Sequence, residues 1–139
     1  MPFALEPLVA GQLGTGTVMD TSVHPPRVSE VEYVLDAPVE DDLIESFPVF
    51  LASETLACDL EQAPLTGFSL EEARVMPSEE FRAAYGNAAV RQWRWLRLMP
   101  EQPADCWLGT DYRLCVSDPM YAVLEASKLA DCEVERISD

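Results

Sequence analysis

Apolar and polar residues alternate along much of this chain, which is the two-residue period of a β-strand with one wet face. In residues 91–99 (RQWRWLRLM), Trp93, Trp95 and Arg97 fall on one face and Leu96 on the other. Runs of this kind, with short apolar runs, predict strands at 28–35, 48–52, 67–75, 91–99, 106–108, 112–116 and 132–137.

Helical spacing is confined to three short segments, and each of them opens on a serine. Ser53, Ser78 and Ser117 suit the N-cap position, because a serine hydroxyl accepts a hydrogen bond from a free N–H one turn along. After Ser53, Leu56 and Leu60 are four residues apart and share one face. The pattern therefore predicts three short helices.

Two of these helices lie in a sequence that nearly repeats itself. Residues 50–70 (FLASETLACDLEQAPLTGFSL) align without a gap onto residues 114–134 (LCVSDPMYAVLEASKLADCEV) at an offset of 64 residues. The aligned serines are the two helix caps, and no other reactive group is shared. We expect two pseudo-repeated β-α-β units, at about 48–70 and 112–134, related by pseudo-symmetry within one sheet.

The mixture of strands and helices predicts a single-domain α+β fold with a mixed, mostly antiparallel sheet. A chain of 139 residues, 48% of them hydrophobic, suits one domain over 1–139. Residues 1–27 carry scattered glycines and end near Pro25 and Pro26, which predicts an irregular N-terminal segment.

The charge of the chain narrows the class of partner. Twenty-five acids against nine bases give a formal charge of −16, which disfavours nucleic acid and anionic membranes. The same charge suits a partner with a basic surface, although plain solubility also explains it. The chain has no apolar run of about 20 residues and no basic segment typical of a signal peptide, so we expect a cytoplasmic protein.

Groups that could carry catalysis do not form a recognisable constellation. The only histidine, His24, precedes two prolines in a predicted loop. The four cysteines, Cys58, Cys106, Cys115 and Cys132, form no CxxC pair and are expected to be free thiols. Adjacent acids usually point apart and stay solvated, so they predict no hydrolytic pair. We expect no catalytic residue, no metal and no cofactor.

The acidic stretches are the predicted partner-binding residues. The segment 38–46 is interpreted as one helical turn with its acids on a solvated surface, and a second acidic pair lies in the strand predicted at 67–75. The candidates are Glu40, Asp41, Asp42, Glu45, Glu71 and Glu72. An alternative interface is Trp93, Trp95 and Arg97, since tryptophan and arginine are enriched at binding hot spots. The same tryptophans also suit a core beneath a helix, which is the favoured interpretation.

Two stretches of the chain resemble known families. LCVSDPMYAVL at 114–124 with LADCEV at 129–134, and PVFLASETLACDLEQAPLTGFSL followed by QWRWLRL, are similar to small bacterial immunity proteins of polymorphic toxin systems. They also resemble the C-terminal half of the double CxxCG-motif proteins of myxobacteria, although this chain has no CxxCG and therefore no zinc ribbon. The resemblance covers about residues 40–137.

This resemblance implies a cytosolic inhibitor that binds and neutralises a cognate toxin, and it transfers no contact residues. We therefore predict a non-enzymatic immunity protein whose partner is a toxin with a basic surface, for example a nuclease. The alternatives are a small cytosolic enzyme or ligand-binding protein on the same scaffold, and a structural protein that forms a homodimer through an edge strand.

Overall fold

The computed structural model describes residues 2–99 and 104–137, and in these ranges it contains thirteen short strands and three helices. The strands are β1 (Phe3–Glu6), β2 (Gly11–Leu13), β3 (Val18–Asp20), β4 (Arg27–Glu30), β5 (Glu32–Leu35), β6 (Leu43–Ser46), β7 (Val49–Ser53), β8 (Phe68–Glu72), β9 (Arg74–Pro77), β10 (Trp93–Leu98), β11 (Cys106–Leu108), β12 (Leu114–Val116) and β13 (Glu133–Arg136). The helices are α1 (Glu54–Gln62), α2 (Glu79–Tyr85) and α3 (Asp118–Glu125).

Two four-stranded sheets and two helices enclose the main core. Sheet A has the strand order β11-β12-β1-β13 and sheet B has the order β6-β7-β10-β8, with every neighbouring pair antiparallel. Their inner faces meet α1 and α3 in an apolar cluster that includes Leu5, Phe50, Leu96, Leu114 and Met120. The single-domain α+β fold predicted from the sequence is confirmed, although its strands divide among separate sheets.

A second core covers the other face of sheet B. A three-stranded sheet, β2-β5-β9, and the hairpin β3-β4 lie on that side together with α2. Tyr33, Phe81, Trp93 and Trp95 are buried there. The alternation of residues 91–99 thus has its predicted outcome, because Leu96 of the same strand faces the main core.

The two predicted β-α-β units are present, and they have the same topology. In β7-α1-β8 the two strands are parallel and separated by the antiparallel β10, and in β12-α3-β13 they are separated by the antiparallel β1. A preceding strand, β6 or β11, forms a hairpin with the first strand of each unit. The expectation of one shared sheet is wrong, since each unit builds its own. The central strand follows its unit in the first copy, where it is β10, and precedes its unit in the second copy, where it is β1. The strand order of the second copy is therefore a circular permutation of that of the first.

The serine caps are confirmed in all three helices. The hydroxyl oxygen of Ser53 accepts the N–H of Leu56 at 3.2 Å, and that of Ser117 accepts the N–H of Met120 at 3.3 Å. Ser78 caps α2 in the same way. α1 and α3 start at equivalent points of the two copies and pack against each other.

The prediction of an irregular segment over residues 1–27 is wrong, because β1, β2 and β3 lie within it. β1 is a central strand of sheet A, with Ala4 and Leu5 both buried. Four residues between two prolines give a weak local signal, and β1 is stabilised by pairing with β12 and β13, more than 100 residues away in sequence. The stretch 38–46 is not a helical turn either, since Leu43–Ser46 forms β6. No helix in the described ranges is long and apolar enough to cross a membrane.

Candidate functional site

Asp41, predicted to face a partner, is buried. Its side chain lies just before β6, the residue is 2% exposed, and its carboxylate accepts the backbone N–H groups of Ala130 at 3.1 Å and Asp131 at 2.8 Å. Two such bonds satisfy a carboxylate that is out of contact with water. Asp41 therefore anchors the loop between α3 and β13, and the expectation that it stands on a solvated surface is wrong.

Asp42 holds three parts of the chain together. Its carboxylate accepts the hydroxyl of the cap Ser53 at 2.7 Å, a guanidinium N–H of Arg91 at 2.6 Å and the backbone N–H of Lys128 at 2.9 Å. Partial burial alone would raise the pKa of this carboxyl, but these donors outweigh burial and lower the pKa. Asp42 is thus a structural clamp.

Asp105 is the equivalent of Asp42 in the other copy. Its carboxylate accepts the hydroxyl of the cap Ser117 at 2.7 Å and the backbone N–H of Thr66 at 2.7 Å, which lies in the loop after α1. Its own N–H donates to the Thr66 carbonyl at 3.0 Å, as the N–H of Asp42 does to Lys128 at 2.8 Å. Each aspartate therefore joins its own helix cap to the loop that follows the helix of the opposite copy.

The remaining predicted acids do not form one patch. Glu40 is exposed, with its side chain at 86%, and bonds the ammonium of Lys128 at 3.0 Å. Glu71 and Glu72 lie on β8, whereas Glu45 lies on β6, and these strands are the opposite edges of sheet B. Glu71 is engaged within the chain, since hydrogen bonds from the hydroxyl of Ser69 and the guanidinium of Arg97 lower its pKa.

Glu45 is the described carboxyl with the largest upward shift. Burial raises its pKa to about 7, with a smaller contribution from the charge of Glu6. The pKa of Glu6 is itself raised, first by a hydrogen bond with Glu133. A titrating carboxyl is useful in catalysis only beside a positioned nucleophile or substrate group. Within residues 2–99 and 104–137, no group of three His, Cys, Asp or Glu side chains converges to hold a metal ion.

The alternative interface residues belong mainly to the core. Trp93 and Trp95 are 4% and 5% exposed, which confirms the favoured interpretation. The Arg97 guanidinium lies 5.1 Å from the centroid of the Trp95 ring and 3.2 Å from a carboxylate oxygen of Glu71. Trp95 and Arg97 also line a surface groove.

This groove has a volume of about 740 Å³ and is largely apolar. It lies between the second core, sheet A and the loop before β4. Its walls include Pro25, Pro26, Trp95, Met99, Trp107 and Leu108. A concave surface of this volume falls within the size range of ligand-binding pockets.

An exposed aromatic cluster adjoins the groove. Phe47 and Tyr112 are 41% and 43% exposed, with ring centroids 5.5 Å apart, and the His24 ring meets Tyr112 edge-on at 5.1 Å. His24 directly precedes Pro25 and Phe47 directly precedes Pro48, and both prolines line the groove. We call His24, Phe47, Tyr112 and the groove the aromatic surface.

The hairpins of the two copies build this cluster together. Phe47 lies in the turn between β6 and β7, and Tyr112 lies in the corresponding turn between β11 and β12. Tyr112 adopts a positive φ of 66°, which is uncommon for a residue with a bulky side chain. Sequence reasoning placed His24 in a surface loop and missed the cluster. The available signal was an aromatic residue in each turn, where polar residues are usual.

Comparison with protein-family models, with curated proteins and with solved structures finds no match for this chain.

Proposed function

We propose that this chain is a non-enzymatic immunity protein, which binds a cognate bacterial toxin through the aromatic surface and neutralises it. The observation that carries this proposal is the exposed cluster of Phe47 and Tyr112 beside an apolar groove. Tryptophan, tyrosine, phenylalanine, methionine and arginine are the residues enriched at protein interfaces, and the aromatic surface contains all five types.

The composition of the groove supports binding over catalysis. The only ionisable side chains among its described lining residues are Arg27 and Arg97, and the lining contains no carboxylate, imidazole, thiol or hydroxyl of serine or threonine. Acid–base and nucleophilic catalysis both require such groups within hydrogen-bond reach of the substrate. An apolar groove with two guanidinium groups instead suits an apolar side chain of a partner.

The distribution of charge supports a basic partner. Counting only pairs between described residues, six of the nine bases form ion pairs, including Arg91 with Asp42 and Arg113 with Glu135. The excess of acids therefore lies on the surface with few bases left to offset it. Complementary charge accelerates encounter between proteins and strengthens their selectivity. A toxin with a basic active-site cleft fits this field.

The test is protection against a toxin encoded next to this chain's gene. That toxin domain is expressed in a bacterial host with and without this chain, and the purified pair is titrated by calorimetry. We expect the wild-type chain to restore growth and to form a complex. The double variant F47S/Y112S should weaken binding at least ~30-fold, because two interface aromatics together contribute about 2 kcal/mol or more.

Tyr85→Ser is the matched control. Tyr85 is an exposed tyrosine, at 48%, on α2 and outside the aromatic surface, so its loss should leave affinity unchanged. Thermal unfolding of each variant checks that the fold is kept. Failure of the wild-type chain to bind or protect contradicts the function, whereas equal binding by F47S/Y112S contradicts only the aromatic surface.

A further inference from the structure

β13 is an edge strand of sheet A whose four residues are all exposed. The other edge strands of the two large sheets, β6, β8 and β11, are mostly buried or half-buried. Natural sheets usually cover or shorten their edges, because an open row of N–H and C=O groups is a template for another strand. β13 is therefore the most exposed edge of the two large sheets, among the residues that the structure describes.

The pairing of β13 with β1 shows which backbone groups are open. The strands are antiparallel with Glu135 opposite Ala4, and the N–H of Ile137 donates to the Pro2 carbonyl at 2.9 Å. Hydrogen-bonded positions alternate along an antiparallel pair, so Glu133, Glu135 and Ile137 direct their backbone groups toward β1. Val134 and Arg136 consequently direct their N–H and C=O groups away from the sheet.

Side chains beside this edge determine which strand fits. Glu133 lies opposite Glu6 and Glu135 lies opposite Ala4, so the three carboxylates share the outer face of sheet A around a groove of about 330 Å³. The guanidinium of Arg113 also lines this groove and donates to Glu135 at 2.7 Å, which leaves an excess of negative charge on the face. Val134, on the inner face, is 39% exposed at the same edge. Side chains on an added strand would lie about 5 Å from those of β13, and opposite charges at that spacing are favourable.

Like charges disfavour a second copy of this chain in the registers that pair residues 133–136 with one another. In an antiparallel pair of two β13 strands whose two-fold axis passes at Val134, Glu133 of each copy lies opposite Glu135 of the other. If the axis passes at Glu135, the Glu135 side chains of the two copies lie opposite each other. Centring on Arg136 opposes two arginines. Like charges directly opposite one another destabilise paired strands. The charge pattern that disfavours self-pairing is the one that attracts a basic strand.

We propose that the free edge of β13 accepts, by strand addition, an extended segment of a partner protein that carries lysine or arginine at alternate positions. Its basic side chains lie opposite Glu133 and Glu135, an apolar side chain lies opposite Val134, and its backbone pairs with Val134 and Arg136. This is a second surface, and its strand addition does not depend on toxin binding by the aromatic surface.

The test uses the full chain and two synthetic peptides of equal composition. KVKVKVK has the alternating pattern, whereas KKKKVVV has the same charge in a block. Binding is titrated by NMR, and amide hydrogen exchange is followed residue by residue. We expect the alternating peptide to bind at least tenfold more tightly than the block peptide. It should slow exchange at Val134 and Arg136 at least tenfold, with little change at Glu135.

Val134→Pro and Val134→Ala form the matched pair of variants. Proline removes one outward N–H at a position where an edge strand tolerates it, and alanine keeps that N–H. We expect V134P to bind KVKVKVK about fivefold more weakly than V134A. If V134P does not fold, the exchange measurement on the wild-type chain remains decisive.

Three results would overturn strand addition at β13. The first is equal binding of both peptides without slower exchange at Val134 and Arg136, which would mean diffuse charge attraction only. The second is equal affinity of V134P and V134A. The third is a dimer of the free chain in sedimentation that V134P dissociates, since the occupant of the edge would then be a second copy.

Discussion

Removing the carboxylate of Asp42 or of Asp105 should destabilise the fold far more than removing any solvated acid. Each carboxylate holds a helix-cap serine and the loop after the helix of the opposite copy, at distances of 2.6–2.9 Å to its main donors. The variants Asp42→Ala and Asp105→Ala leave these donors without their partner. They therefore measure how strongly the two copies are joined.

The expected magnitudes follow from the donors. A hydrogen bond to a charged group contributes about 1.5–3 kcal/mol, and we reduce this by about half because both carboxylates are partly solvated. In Asp42→Ala, three donors lose their acceptor, and one of them is the charged guanidinium of Arg91, so the expected loss of stability is about 3 kcal/mol. Asp105 loses the hydroxyl of Ser117 and the two donors of Thr66, which gives about 2 kcal/mol. Since the clamps share no donor, the double variant should lose about 5 kcal/mol.

Urea unfolding at pH 7 measures these free energies, and Glu40→Ala is the control. Glu40 is close to Asp42 in sequence, but its exposed carboxylate pairs with the exposed ammonium of Lys128, so its loss should change stability little. The order Asp42→Ala, then Asp105→Ala, then Glu40→Ala is the expected ranking. A loss below about 0.5 kcal/mol for either aspartate would refute the clamp interpretation.

The pH dependence provides an independent check with a definite sign. The pKa of Asp42 is lowered in the folded state from 3.8, so the unfolded chain takes up its proton first as the solution is acidified. The stability that Asp42 contributes is therefore fully present well above pH 3.8 and is lost as the pH falls through the lowered value. The difference between the wild-type chain and Asp42→Ala should shrink over that acidic window. A difference that stays constant down to pH 2 would contradict this linkage.

Three further predictions concern other parts of the chain. Burial raises the pKa of Glu45 from 4.5 to about 7, so the folded state holds the carboxyl proton more tightly than the unfolded state does. The free energy of unfolding should therefore fall as the pH rises between these values, and Glu45→Gln should flatten that slope in urea unfolding between pH 4.5 and 8. Gly67 has a φ of 97°, and an added Cβ would lie 2.7 Å from a side-chain carbon of Ala104, so Gly67→Ala should cost about 3 kcal/mol. Gly86→Ala should cost less, about 2 kcal/mol, because its φ of 61° and ψ of −126° strain an alanine but the space around it is open. Cys58 is exposed, whereas Cys106 is buried and burial raises the pKa of its thiol to about 12. Timed alkylation followed by mass spectrometry should therefore find Cys58 modified before Cys106, and equal rates would contradict this order.

Local signals account for the part of the fold that the sequence predicts. Ser53, Ser78 and Ser117 start helices because a serine next to an apolar stripe satisfies free N–H groups without help from distant residues. The two faces of residues 91–99 were also predictable, since alternation alone assigns Trp95 and Leu96 to opposite cores. Both inferences depend only on neighbours in sequence.

The remaining features depend on pairings across the whole chain. β1 has little local signal because its stability comes from strands at the other end of the sequence. Asp41 resembles any solvated acid until the loop after α3 folds against it and donates two N–H groups. The acids predicted to form one interface therefore have different roles in the structure, since Asp41 and Asp42 bind other parts of the chain whereas Glu40 is exposed. Composition gives the excess of charge but does not show which carboxylates the fold uses.

The two copies differ in what covers the outer face of each sheet. In the first copy, the outer face of sheet B is covered by β2-β5-β9 and α2, and it carries Trp93 and Trp95. In the second copy, the outer face of sheet A carries Glu6, Glu133 and Glu135 beside an open groove. That face adjoins the turn between β11 and β12, which holds the exposed Tyr112, because the next residue, Arg113, lines the same groove. The elements added to the first copy thus bury most of the outer face of sheet B, whereas the equivalent face of sheet A is open to solvent.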